Sequence, residues 1–139
     1  MKAEIIAVGN EVVTGHTINT NAGYIAKELQ TIGIMPKYHT AVWDEVEDVK
    51  EALGNALKRA DVIILTGGLG PTKDDLTKET VCEYLGQRLV MQQEALETIE
   101  AYFKSIKRQM SENNKKQALF PEEAYVLPNR HGTAPGCIL

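Results

Sequence analysis

At 139 residues, 43% hydrophobic and 24% charged, the chain can bury about 68–70% of its unfolded surface and hold a core without metal or disulfide staples. Its net charge of -4 argues against a nucleic-acid partner, and its longest clean apolar run, Val62 to Leu65, falls far short of the about 20 residues of a spanning helix. Glu4, Asn10 and Glu11 stand where a secretory signal would be apolar, so no membrane association and a cytoplasmic location are expected.

Ala3 to Val8 is short, apolar and β-branched and runs into a Gly9-Asn10 turn, which predicts a buried strand. From Thr20 the period changes. Ala22, Ile25, Ala26, Leu29 and Ile32 recur at helical spacing, with Asn19 or Thr20 as N-cap and Gly33 as the stop. Met35 to Val42 predicts a second strand, and Val46, Val49, Leu53, Ala56 and Leu57 form one face of a second helix. Asp61 to Leu65 is the clearest strand of the chain, followed by a glycine-rich loop and a helix from about Asp75 to Leu85 that stops at Gly86. Alternation of this kind implies βαβ units and a parallel sheet covered on both faces. If the second and third strands flank the first, the order reverses there, and the crevice at the C-terminal strand ends is the default ligand site.

Beyond Gly86, Leu96, Ile99, Phe103, Ile106 and Met110 predict an amphipathic helix from about Gln92 to Asn113, packed on its own domain or on a twin subunit. The polar run Ser111 to Lys116 ends it, and Ala124 to Leu127 before Pro128 reads as a strand. Lys104, Lys107, Arg108, Lys115 and Lys116 read as a solvated helix face. Cys82 and Cys137 lack any metal-ligand spacing and read as small buried hydrophobes.

Three loops carry chemistry. In Thr66 to Thr77 (TGGLGPTKDDLT), Gly67, Gly68 and Gly70 directly after a strand allow positive φ and close backbone approach, and Thr72 adds a hydroxyl, so the loop can cradle a phosphate or carboxylate. The bland alternative is a tight turn without ligand. One of Asp74 and Asp75 is explained as a helix cap; the second suggests a divalent cation such as Mg²⁺ beside the anion. In Gly9 to Asn21 (GNEVVTGHTINTN), Glu11, Thr14, His16, Thr17, Asn19, Thr20 and Asn21 offer hydrogen-bonding groups to the same crevice, with Glu11 as the candidate acid. Asp44, in the loop after the second strand, stands three residues before Glu47 in capping-box spacing, a structural reason that competes with a functional one. Asn129, Arg130 and Thr133 sit in a last loop, Pro128 to Gly136 (PNRHGTAPG), which reads either as a binding loop or as a turn.

Together, GNEVVTGHTINTN, TGGLGPTKDDLT and PNRHGTAPG resemble the N-terminal domain of the competence/damage-inducible protein A (CinA) family, of the molybdopterin-binding fold, over the whole chain. The resemblance implies a three-layer α/β/α sandwich with a mostly parallel sheet and a nucleotide-like or pterin-like ligand at the glycine loop. It also implies a metal-dependent pyrophosphatase acting on ADP-ribose. Asp75 and Asp44 match the family's functional aspartates; Glu11, Asn21 and Asp74 match further motif positions. Family members continue past the APG turn into another strand and a Pro-Gly loop, so the end at Cys137-Ile138-Leu139 leads one to expect an incomplete strand. The separate domain that deamidates nicotinamide mononucleotide in many members is not carried over.

Three functional classes follow. In the first, an enzyme, Gly67 to Gly70 hold the pyrophosphate, Asp74 and Asp75 a divalent cation, and Glu11 or Asp44 the attacking water. In the second, the domain binds a pterin or nucleotide without turnover. In the third, a structural fragment self-associates through the Leu96 to Met110 stripe. A homo-oligomer is expected.

Overall fold

The computed structural model describes residues 1–139, which divide into two compact units, Met1–Gly68 and Leu69–Leu139. The N-terminal unit is built on β1 (Lys2–Val8), whose Ala3, Ile5 and Ile6 are wholly buried. Parallel β2 (Met35–Val42) and β3 (Val62–Thr66) flank it in the order β2-β1-β3. Alternation along β1 divides the unit into layers. Ala3 and Ile5 pack on Ala22, Ala26 and Leu29 of α2 (Thr20–Thr31), while Ile6 and Val8 pack on Val49, Ala52 and Ala56 of α3 (Val46–Ala56). Burying each isoleucine contributes roughly 1.5–3 kcal/mol. This is a three-layer α/β/α sandwich, and its strand order reverses between β1 and β3 as the sequence predicts.

One charge is buried in this sandwich. Glu4 is 0% exposed, and its carboxylate accepts from Arg59 Nε (2.8 Å) and Nη2 (2.7 Å) and from the Thr40 hydroxyl (2.7 Å). Arg59 also lies over the Tyr38 ring, 4.1 Å from its centroid. The Arg59 guanidinium bonds hold the Glu4 carboxyl below the usual carboxylate range, against burial, with help from Thr40.

The loop after β1 is not irregular throughout, since Asn10–Val13 forms a single turn, α1. α2 begins as predicted, with Asn19 Oδ1 accepting from the Ala22 amide at 3.0 Å. The Asp44–Glu47 capping box does not cap α3: its N-cap is Glu45, in extended conformation, and no side chain caps it.

The C-terminal unit contains α4 (Thr77–Leu85), α5 (Gln93–Ser105), a 3-10 helix (Glu112–Ala118) and two antiparallel pairs. β4 (Leu89–Met91) pairs with β5 (Leu119–Pro121), and β6 (Tyr125–Leu127) with β7 (Gly136–Ile138). Its core gathers Ala95, Ile99, Ala118 and Phe120, with Leu96, Phe103, Met110, Val126 and Cys137 against them.

Two predicted helices are shorter here. α4 starts at Thr77, so Asp74 and Asp75 lie in the turn before it and neither is its N-cap, which is Leu76. The predicted helix from Gln92 to Asn113 ends at Ser105. Lys107 adopts φ +55, its amide donates to Lys104 O (3.1 Å), and the Arg108 amide donates to Phe103 O (3.0 Å). That double bond pattern is a Schellman stop, with lysine where glycine is usual. Ser111 to Lys116 does not simply end a helix; Ser111 and Asn114 form the capping box of the 3-10 helix. Of the Leu96 to Met110 stripe, Leu96, Ile99, Phe103 and Met110 pack into their own unit's core, and Ile106 stays 42% exposed.

Candidate functional site

In the N-terminal unit the loops after all three strands leave the same edge of the sheet. The Gly9 amide donates to Val42 O at 2.9 Å, and Asn10 Oδ1 accepts the Asp44 amide at 2.9 Å, so the loop after β1 positions the loop after β2. Asn10 carried no functional signal in the sequence beyond a turn. Glu11 in α1 turns its carboxylate back on Gly9, with Oε1 2.7 Å from where a Gly9 Cβ would stand. Thr14 is engaged locally: its hydroxyl is 2.8 Å from Asn10 O and 2.7 Å from His16 Nδ1. Asn21 is exposed in the first turn of α2. The third loop begins with Gly67 (φ +93) and Gly68 (φ +61), two successive residues in a backbone region that only glycine enters at low cost.

In the C-terminal unit the aspartate pair divides. Asp74 is exposed, whereas Asp75 is half-buried and turned onto its own loop. Asp75 Oδ2 accepts the Thr72 amide at 2.9 Å and the Thr72 hydroxyl at 2.5 Å, and it stands 2.6 Å from the position of a Gly70 Cβ. Gly70 is therefore glycine because the Asp75 carboxylate fills that space. Burial raises the affinity of this carboxyl for its proton. The Thr72 hydroxyl, the amides of Thr72 and Gly70, and the Lys116 charge outweigh that and hold its pKa below the ordinary value.

Lys116, read from sequence as part of a solvated basic face, donates from Nζ to Thr72 O (2.9 Å) and to Asp75 O, and pairs with Glu79 at 3.4 Å. Its side chain is 22% exposed. A cleft of about 390 Å³ beside this turn is lined by Pro71, Thr72, Lys73, Glu112, Asn113 and Lys116. Asn129 Nδ2 donates to Ala134 O (3.0 Å) and its Oδ1 accepts the His131 amide (2.8 Å), so Asn129 closes its own loop. Thr133 Oγ1 accepts from Gln117 Nε2 at 3.1 Å. Both residues line a second cavity of about 310 Å³ together with Thr98, Tyr102 and Arg130.

The fit of a resident divalent cation can be judged from these donors. No three His, Cys, Asp or Glu side chains gather into a metal cluster. The Asp75 carboxylate is occupied by its own turn, which leaves Asp74 as the exposed acid of the pair. A hard cation that takes one or two carboxylates draws its remaining ligands from water and substrate phosphates, and these residues do not form a resident metal centre.

The whole fold finds its counterparts among known proteins. Residues 4–139 match the family model described as "Probable molybdopterin binding domain". A competence-damage inducible protein of Clostridium novyi is 55% identical over all 139 residues, and the corresponding protein of Geobacillus kaustophilus 53%; the chain spans about a third (34%) of the length of each. The crystal structure of CinA from Thermoplasma acidophilum is 34% identical with a TM-score of 0.87, covering 98% of this chain and 79% of that one. The tungsten cofactor synthesizing protein MoaB of Pyrococcus furiosus shares the fold at 21% identity and a TM-score of 0.59, covering 98% of this chain and 78% of its own. With its glycine loop, its layered parallel sheet and this match over nearly every residue, the chain belongs to the molybdopterin-binding domain family and, within it, to the CinA proteins.

Proposed function

We propose that the chain binds a small phosphorylated nucleotide or pterin through the glycine loop and, in its finer form, hydrolyses the pyrophosphate of ADP-ribose. The observation that carries the binding is the position of Gly67 and Gly68. Two successive positive-φ residues leave β3 at the point where the strand order β2-β1-β3 reverses, the place where open α/β sheets take their ligands. Left-handed backbone without side chains lets an anion approach the loop closely. Membership of a family described as molybdopterin-binding supports the same ligand class.

For hydrolysis, Glu11 or Asp44 would take the proton of a water attacking one phosphorus. The bridging oxygen then leaves with the other phosphate, giving AMP and ribose 5-phosphate. A divalent cation would enter with the pyrophosphate and lower its charge; the chain's part is to hold the phosphates and orient the water. Binding without turnover is the second reading, favoured by the occupation of Asp75 within its own turn.

Incubating the chain with ADP-ribose and Mg²⁺, Mn²⁺ or no cation, with product analysis and calorimetry, separates the two. Saturable binding with AMP formed only in the presence of a cation supports the enzyme. Binding without product supports the module, and no binding removes the glycine-loop reading.

A further inference from the structure

Lys78 and Lys116 each donate to the backbone of the other's segment. Lys78 is 7% exposed. Its Nζ donates to the carbonyls of Gln117 (3.0 Å) and Leu119 (2.8 Å), lies 3.4 Å from Lys116 O, and sits 4.1 Å from the Phe120 ring centroid. Lys116 returns the contact from the 3-10 helix to Thr72 O and Asp75 O in the turn before α4. Residues 72–79 and 116–119 are thus stitched in both directions by charge-assisted hydrogen bonds, about twice as strong as neutral ones.

The two ends of the glycine-loop turn are held by different partners. Its donors, the amide and hydroxyl of Thr72, go to the Asp75 carboxylate. Its acceptors, the carbonyls of Thr72 and Asp75, go to Lys116. A turn held at both donors and acceptors keeps its backbone fixed before anything binds, and preorganisation of that kind raises affinity by removing an ordering cost. An ammonium has three protons. Two of them go to the carbonyls, and the Glu79 carboxylate 3.4 Å away balances the ammonium charge, so the side chain is already engaged within the scaffold. Lys73, exposed in the same cleft, differs in this respect.

We propose that Lys116 is a positioning residue for the phosphate-bearing ligand: it sets the Thr72–Asp75 turn and does not itself touch the ligand. This rests on the glycine-loop reading above. The Lys116 ammonium ties the 3-10 helix to the Thr72–Asp75 turn, both within the C-terminal unit.

The test compares the full chain with Lys116→Met and Lys116→Arg, using amide hydrogen exchange in the free protein and calorimetry with ADP-ribose and inorganic pyrophosphate. In Lys116→Met the amides of residues 70–76 should exchange about tenfold faster while β1–β3 are unchanged. Affinity for both probes should fall about tenfold with the same dependence on salt as the parent. Lys116→Arg should recover most of both losses. If Lys116→Met does not fold, Lys116→Gln, which keeps a donor for one carbonyl, gives the same comparison with effects of about threefold.

Exchange equal to the parent overturns the proposal, as does a flattened salt dependence, which would mean that Lys116 meets the anion itself. A parent chain that binds neither probe removes the glycine-loop reading and this proposal with it. A parent that binds both probes, with Lys116→Met matching it in affinity, removes only the role of Lys116.

Discussion

Gly67 lies against Val8 with no room for a side chain: a Cβ there would stand 2.0 Å from the Val8 carbonyl oxygen, at φ +93. This glycine is required by the way β3 turns over the end of β1, before any ligand is considered. Gly68, at φ +61, is restricted by its backbone conformation. Two residues that the sequence places in one cradle thus answer to different demands.

Their substitutions should differ accordingly. Gly67→Ala forces the backbone apart and should cost at least about 3 kcal/mol. Gly68→Ala should cost only the left-handed penalty of about 1–2 kcal/mol. Urea denaturation of the two variants measures the difference, and equal midpoints would remove the steric account. Gly68→Val should remain folded yet lose at least tenfold in ADP-ribose affinity, and unchanged affinity by calorimetry would remove the cradle.

Acid should act on the N-terminal unit through Glu4. The folded-state pKa of Glu4 is depressed, first by Arg59, so its contribution is complete above the unfolded value of about 4 and is lost as pH falls through the folded one. Glu4→Gln should lower Tm by several degrees at pH 7, and the difference should narrow as pH falls below the unfolded value of about 4. A gap that persists to the acid limit would mean that packing, not charge, holds the variant down.

What could be read from sequence follows from which residues carry a fixed conformational meaning. Gly33 and Gly86 announced the ends of α2 and α4, and both stand at positive φ (+78 and +66) in the same double-bonded stop. Lys107 makes the third such stop without a glycine, so the helix predicted to reach Asn113 continued past its true end on hydrophobic period alone. β1 and β3 were legible because apolar, β-branched runs in a doubly covered sheet have few alternatives, whereas β2 (MPKYHTAV), with no buried residue, was legible from its place between two helical periods. β4 and β5, of three residues each, were too short to give a complete strand period. At the site, Asp75 was found by its proximity to the glycines. Its true partner, Lys116, lies 41 positions away and could not be paired with it from one sequence.

Lys107 also offers a stabilising change. A non-glycine residue at φ +55 carries strain of about 1 kcal/mol, and the amides of Lys107 and Arg108 keep their bonds whatever the side chain. Lys107→Gly should therefore raise stability by about 0.5–1 kcal/mol, net of the glycine's extra unfolded-state entropy. A lower urea midpoint would show that the lysine side chain contributes more than its backbone costs.

Asp75 separates the loop-shaping and chemical roles. Its folded-state pKa is depressed: burial alone would raise it, and the Thr72 hydroxyl, the Thr72 and Gly70 amides and the Lys116 charge together outweigh that. The contribution is present above the unfolded value of about 4 and disappears as pH falls through the folded one. Asn at this position keeps an oxygen for the Thr72 donors but no charge, so Asp75→Asn should cost about 1 kcal/mol at pH 7. It should also remove the acid-induced loosening of residues 70–76 seen by amide exchange. If shaping the turn is the whole role of Asp75, ADP-ribose affinity should fall less than about fivefold and any turnover should fall with it in proportion. If the carboxylate also acts in the chemistry, cation-dependent AMP formation should drop by 10²-fold or more while binding is largely kept. Measuring affinity and product formation on the same variant distinguishes the two, because only a group acting in the reaction separates kcat from binding.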